Sequence, residues 1–285
     1  MIKYNPKSWL HLFTQQYTRE IFARLSSGML YLALYTGILA FLFDYFQIDY
    51  PGTTAVHSIM GIVLGFFLVF RSNGAYDRWW EGRKTWGALV NNSRNMAMKF
   101  AVMVPVEHKY RQLITDCIAA YPKVLKEHLR QGIAEDEVKK LRNALQLDLI
   151  DHIPNAIAKK LVWLVNDLKR DQTIDAEQYR VLDEQIMSLT GITGVCERIK
   201  NTPIPYSYSI FLKKFIVVFL VTVPFAFLPS YGFWTIIISI LLLYVLMSIE
   251  LLAEEIEEPF GADINDLPTD DLSVKIDQNV RNIME

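Results

Sequence analysis

Hydrophobic and polar positions divide the chain into two long apolar blocks around a charged middle. From Leu25 to Phe70 there is no Lys or Arg, and only Asp44 and Asp49 carry charge. From Phe215 to Ile249 there is no charged residue at all. A bilayer core needs about 20 apolar residues per helix, so each block is long enough for two spans joined by a tight turn. Span 1 is predicted at about 28–46, span 2 at about 53–70, span 3 at about 209–228 and span 4 at about 233–252. Pro51-Gly52 turns the first pair and Pro229-Ser230-Tyr231-Gly232 the second.

The charged middle reads as helix throughout, because strand-like alternation is scarce and Gly and Pro are few. Span 2 is expected to continue as one helix to about Val104, ahead of Pro105. Further helices are predicted over about 106–131, 135–150, 154–171 and 175–200, with Pro154 suited to a helix start. Pro203 and Pro205 break the last of these before span 3. After span 4 the chain turns acidic at Glu250, Glu254, Glu255, Glu257 and Glu258, and Pro259-Phe260-Gly261 ends the helix. A final amphipathic helix is expected from Thr269, with Leu272, Ile276, Val280 and Ile283 on one face. That face has to pack on the chain's own body or on a neighbouring subunit. With no repeat and no low-complexity linker, the fold class is an all-α membrane protein. It forms one unit over 1–285, with a helical cytoplasmic region at 71–208 and a cytoplasmic tail at 253–285.

Positive charge sets the orientation. Lys3, Lys7, Arg19 and Arg24 precede span 1, Arg71, Arg78, Arg83 and Lys84 follow span 2, and Lys213 and Lys214 mark the inner end of span 3. The two connecting turns hold no Lys or Arg. Both termini and the charged middle are therefore expected on the cytoplasmic side of a bacterial inner membrane. The first 27 residues are polar, so no cleavable signal peptide is expected.

Composition narrows the function. The chain is 52% hydrophobic yet 21% charged, with a formal net charge of −2, which indicates neither a nucleic-acid partner nor bulk attraction to anionic lipid. Cys117 and Cys196 fit no metal spacing and are expected to be free thiols in a cytosolic region. A haem or quinone enzyme would need paired histidines within the spans, and His57 alone lies there, more naturally a solvated or hydrogen-bonded residue than a ligand. No nucleophile elbow or phosphate-binding loop is present, so neither an enzyme nor a cofactor is indicated. A secondary transporter would show broken helices in matching halves. Pro224 could break span 3, but span 2 has no counterpart. A membrane scaffold for a cytosolic partner stays open as an added role.

The most informative stretch runs from Gly61 to Gly87: GIVLGFFLVFRSNGAYDRWWEGRKTWG. Within it Arg71, Asn73, Tyr76, Asp77, Arg78, Trp79, Trp80 and Glu81 fall where a helix leaves the membrane, a position that Trp and Tyr favour and Arg can anchor. An interfacial belt with intrahelical ion pairs would account for the same residues. The "VLGF" of span 2, the "RxNxAYDRWWEGRKxWG" block and the "EPFGxDxND" segment from Glu258 to Asp266 together resemble the bestrophin family, notably its prokaryotic branch. The two-hairpin layout is similar too, so the resemblance covers nearly the whole chain.

This resemblance implies a homopentameric channel with span 2 around the axis. It also implies a narrow neck of three side chains at i, i+4 and i+8, the innermost being the phenylalanine after "LG": Ser58, Ile62 and Phe66 here. Rings of large apolar side chains can gate by dewetting. Ser58 departs from the apolar pattern, and a displaced register would use Ile59, Val63 and Phe67, or add Phe70. A second constriction, on the helix before span 3, is implied near Ala176 and Glu177. The eight-residue block after span 2 would support the pore helix and pack subunits together. Animal members are calcium-gated through acids after "PFG", which makes Glu258, Asp263 and Asp266 the metal candidates. Ile264 and Asn265 interrupt that run and calcium takes six or more oxygens, so no metal is expected and the acids more naturally cap helices or pair across subunits. Acids at the outer mouth and a possible Glu177 ring favour monovalent cations such as sodium. Chloride, which animal members pass, is the alternative.

Overall fold

The structure, a computed structural model, describes residues 16–52, 54–148 and 151–285. Lys3, Lys7 and the predicted start of span 2 at Thr53 lie outside the described residues, as do residues 149–150. The helix predicted at 135–150 stops earlier, at Leu145, where Gln146 takes a left-handed conformation. Among the described residues there are nine α-helices and no strand. They are α1 (Gln16–Tyr45), α2 (Thr54–Met103), α3 (Arg111–Leu129), α4 (Glu135–Leu145), α5 (Ile153–Arg170), α6 (Ala176–Asn201), α7 (Tyr206–Tyr231), α8 (Thr235–Glu257) and α9 (Thr269–Met284). Three stretches are long and apolar enough to cross a membrane: Tyr17–Tyr45, Thr54–Met103 and Tyr206–Glu257. The third comprises α7, a short 3-10 turn at Gly232–Trp234, and α8.

The described residues form two compact units, one within 16–78 and Pro203–Glu257, the other within Trp79–Thr202 and Glu258–Glu285. Helix α2 supplies residues to both. Its buried positions recur in steps of three and four, with one gap of seven between Ala75 and Gly82: Leu64, Leu68, Arg71, Ala75, Gly82, Trp86, Leu89, Ser93, Met96 and Phe100. Within each unit this period, near 3.5, keeps one face of the helix packed.

In the apolar unit α1 packs on α8 through small residues. A Cβ on Gly28 would touch Leu243 at 3.8 Å and one on Gly37 would touch Ile236 at 3.7 Å. Thr36, Thr235 and Ser239 are buried in the same unit. Small side chains let helices approach where lipid supplies no hydrophobic drive for association. Large rings instead hold α2 against α7, with Phe67 5.5 Å from Phe211 and His57 6.1 Å from Phe219. Outward from this core the side chains stay apolar, among them Leu34, Ile38, Phe66, Val217 and Leu241. A helix apolar on all sides needs a hydrocarbon solvent, and helices satisfy their own backbone there.

Arg71 brings a charge into this unit, its guanidinium-bearing side chain only 2% exposed. Its Nη1 lies 2.6 Å from Glu257 and its Nε 3.5 Å from Glu250, both on α8. Glu257 also accepts from the Ile204 amide at 2.7 Å, and its carbonyl accepts from Arg78 at 3.1 Å. The acids after span 4 thus serve as buried counter-ions to the base that ends span 2.

The second unit is organised around α3, whose Ile114, Ile118, Tyr121 and Leu125 are buried. It packs against α5, α6 and α9. The expected apolar face of α9 rests on this body: Ile276 and Val280 are buried, with Leu272 and Ile283 half-buried against the same core. Arg111 ties the unit together by donating to Met284 O at 3.2 and 2.7 Å, to Ala101 O at 2.9 Å and to Val104 O. Helix α6 opens on a capping box, Asp175 accepting from Gln178 N at 2.7 Å while the Gln178 side chain accepts from Asp175 N at 2.9 Å. Pro154 stands in the first turn of α5 as expected.

Two turns differ from the sequence expectation. Pro229 lies inside α7, and the chain turns only at Gly232, whose φ of +49° suits glycine. A proline near a helix end lacks a donor, but Cβ and ring can still follow the helix when the carbonyl four residues back adjusts. The first link contains Pro51-Gly52 but begins at Gln47, a glutamine with φ +51° whose side chain donates to Asp44 O at 2.7 Å.

Two substitutions test these anchors. Arg71→Met leaves two carboxylates without their buried partner, a loss of about 3–5 kcal/mol. We expect the thermal midpoint to fall by about 10 °C, with part of the loss recovered on adding Glu250→Gln. Arg111→Met strips four charge-assisted bonds from three carbonyls and is expected to cost about 3 kcal/mol. Thermal unfolding of the purified protein in lipid nanodiscs, followed by tryptophan fluorescence, reads both.

Candidate functional site

The candidate site is the outer face of α2 and the segments that flank its charged end. A face opposite the buried stripe is exposed over residues 55–70, and it is apolar except for Ser58. Ser58, Ile62 and Phe66 all lie on it, Ile62 and Phe66 each 62% exposed. The Ser58 hydroxyl donates to Thr54 O at 2.8 Å, so its proton is held by its own helix. This makes the position less wet than an unengaged hydroxyl would be. The displaced register fares differently. Ile59 and Val63 are exposed, but Phe67 is turned toward α7, among the rings of Tyr208, Phe211 and Phe215, and its carbonyl accepts from Tyr208 Oη at 3.1 Å. Phe70 continues the exposed face. His57 is buried beside Phe219 rather than exposed on this face.

The aromatic and charged block at 71–81 splits by direction. Arg71 and Arg78 reach α8, as described above. Trp79 donates through Nε1 to Asn265 O at 2.9 Å and stacks on Trp80, ring centroids 6.5 Å apart. Glu81 accepts from Arg198 at 2.5 Å, not from the Arg78 that its spacing offered. Asn73, Tyr76, Asp77 and Trp80 are exposed on this chain. The block therefore works through long-range bonds more than through intrahelical pairs.

Ala176 and Glu177 begin α6 and are exposed. The Glu177 side chain is 80% exposed and lies 3.5 Å from Arg180, so its charge has a counter-ion one turn along. Among the metal candidates, Glu258 and Asp263 are exposed while Asp266 is buried. Asp266 Oδ2 accepts from Asp263 N at 2.7 Å, and its amide donates to Asp263 O at 3.1 Å. A Cβ on Gly261 would come within 2.5 Å of the same Oδ2, which explains the glycine of "PFG" by close approach. These acids close a loop; a six-oxygen cage is not formed among the described residues. Nearby, hydrogen bonds from Arg130 and Lys126 hold the Asp270 carboxyl down at about 2.

Sequence reasoning passed over three residues that the fold brings together. His128 at the end of α3 and His152 at the start of α5 both place Nε2 on Oε1 of Glu197 in α6, at 2.7 and 2.6 Å. Burial pushes the Glu197 carboxyl up, but the bonds from His152 and His128 outweigh it and bring it below the ordinary range. Separations of 69 and 45 residues to Glu197 offer no spacing signal, so only the packing of three helices could reveal the group. Cys117 and Cys196 are free and buried, their thiols pushed up to about 12 by desolvation.

Residues 1–282 match the family model described as Bacterial/Fungal Bestrophin protein. The chain is 36% identical over 229 residues to a Nostoc protein named "Voltage-dependent anion channel-forming protein", covering 78% of this chain and 75% of that one. It is 33% identical over 239 residues to a protein of the same name from Ralstonia nicotianae, covering 81% of this chain and 78% of that one. Its fold is similar to the crystal structure of a bestrophin homologue from Klebsiella pneumoniae, with a TM-score of 0.82 at 26% identity over 90% of this chain and 97% of that one. The chain is an all-helical membrane protein that belongs to the bestrophin family, in its bacterial branch.

Proposed function

We propose that the chain forms an ion channel that passes anions such as chloride through an apolar neck. The observation that carries the reading is the uninterrupted apolar face of α2 at Ile59, Ile62, Phe66 and Phe70, exposed although the opposite face is packed. A single chain cannot enclose a hole with such a face, whereas copies related by symmetry can. The family resemblance supports reading that assembly as a homopentamer, with Ser58, Ile62 and Phe66 as the neck. The engagement of Phe67 with α7 supports this register over the displaced one. We read residues 1–285 as one unit with four spans in two hairpins, within the bounds of α1, the first part of α2, α7 and α8. Arg19, Arg24, Arg83, Lys84, Lys213 and Lys214, against turns without Lys or Arg, support an orientation with both termini on the cytoplasmic side of a bacterial inner membrane.

The names of the relatives favour anions over the cation preference that the acids suggest. Charge pairing favours the same choice. Arg180 offsets Glu177, so a ring at the Ala176–Glu177 constriction carries little net field. Asp44 and Asp49, at the link between α1 and α2, are what still speaks for sodium.

Planar bilayers under a sodium chloride gradient decide between them. We expect reversal near the chloride equilibrium potential. Reversal near that of sodium would restore the cation reading. Ile62→Ala and Phe66→Ala are expected to raise the current, about tenfold for each ~1.4 kcal/mol removed from the dewetting barrier. Silence of the reconstituted wild type and of both variants would remove the channel reading. Glu177→Gln is expected to leave the reversal potential within a few millivolts.

A further inference from the structure

We propose that His128, His152 and Glu197 form a binding site for a first-row transition-metal ion, zinc in the first instance, with water completing the coordination.

The three side chains come from three helices and converge on one point. Their ligand atoms all lie within 4.8 Å of one another, and the two imidazole rings have centroids 4.5 Å apart. Two imidazole nitrogens and one carboxylate oxygen suit zinc, which accepts nitrogen and oxygen donors in tetrahedral geometry. Calcium and magnesium prefer oxygen alone. Each side chain is about 30% exposed, at 31%, 28% and 29%, so the group is backed by protein on one side and reachable by water and ions on the other.

The distances describe the metal-free form. Contacts of 2.6 and 2.7 Å are hydrogen bonds, in which each ring donates from Nε2 to Glu197 Oε1. Metal–nitrogen bonds of about 2.0–2.1 Å in a tetrahedron separate neighbouring ligand atoms by about 3.3 Å. Binding therefore needs each ring to draw back from Oε1 by about 0.6 Å, within the reach of side-chain rotation. In a neutral ring the proton leaves Nε2 for Nδ1. His152 Nδ1 now accepts from Asn155 N at 3.2 Å, and that long bond is exchanged for the one to the metal. The bound ion would cross-link α3, α5 and α6. All three ligands belong to the unit of Trp79–Thr202 and Glu258–Glu285, and the site's existence does not depend on conduction.

Equilibrium titration of zinc chloride into the EDTA-stripped, tag-free full-length protein in detergent tests the proposal, with magnesium and calcium chloride as controls. We expect one zinc per chain, a thermal midpoint several degrees higher, and no response to magnesium or calcium. Glu197→Gln and His128→Asn are expected to weaken zinc binding at least about 100-fold, while Cys117→Ser with Cys196→Ser leaves it unchanged. Because a variant can fail to fold, cobalt(II) added to the wild type supplies a second reading. Visible d–d bands of tetrahedral intensity support the site; their absence overturns it. Zinc that does not bind the wild type, or that binds folded Glu197→Gln and His128→Asn as tightly, would also overturn it.

Discussion

The pairing of one buried base with two acids fixes where the apolar part of this protein ends. Arg71 stands one residue past the long uncharged face of α2, and it is buried. An unpaired guanidinium there would carry a penalty of several kcal/mol. Glu250 and Glu257, in the acidic last two turns of α8, remove that penalty. Glu257 also takes the Ile204 amide, which ties the entry to α7 into the same group. The register of α2, α7 and α8 is set together by these bonds, and with it the set of α2 side chains left facing outward.

That outward set is where function follows from packing. A helix with a buried period near 3.5 has a definite opposite face, and on α2 this face is apolar from Ile59 to Phe70. The rings between α2 and α7 turn Phe67 inward and thereby leave Phe66 outward. A single-residue shift of register would exchange these neighbouring phenylalanines. Selection among ions is a different matter, since an apolar ring has little field of its own, and charge at the mouths has to supply the preference.

The fold was largely legible in the sequence because its signals are long. Runs without charge showed the apolar helices, and prolines at 105, 154, 203 and 205 marked helix boundaries, whereas the Asp175–Gln178 capping box that opens α6 emerged only from the structure. The turns were less legible. Pro229 reads as a breaker but remains helical, and Gln47 adopts a positive φ that its residue type does not advertise. The acidic run after span 4 could be seen but not its use, because the partner of Glu250 and Glu257 lies 179 residues from Glu250 along the chain. The loop acids Asp263 and Asp266 likewise showed their role only when Asp266 was seen to accept from Asp263 N. The His128–His152–Glu197 group left no trace in spacing at all.

Water access to the face of α2 is the most direct measure of the central claim. Ile62→Cys and Phe66→Cys, treated with a membrane-impermeant methanethiosulfonate during bilayer recording, put a charged group wherever water reaches. The native thiols are buried and pushed up to about 12, so they stay silent. The account predicts modification at both positions with a changed current, and no effect at Leu241→Cys on the outward face of α8. A current that persists unchanged with Ile62→Cys and Phe66→Cys both unmodified would contradict it.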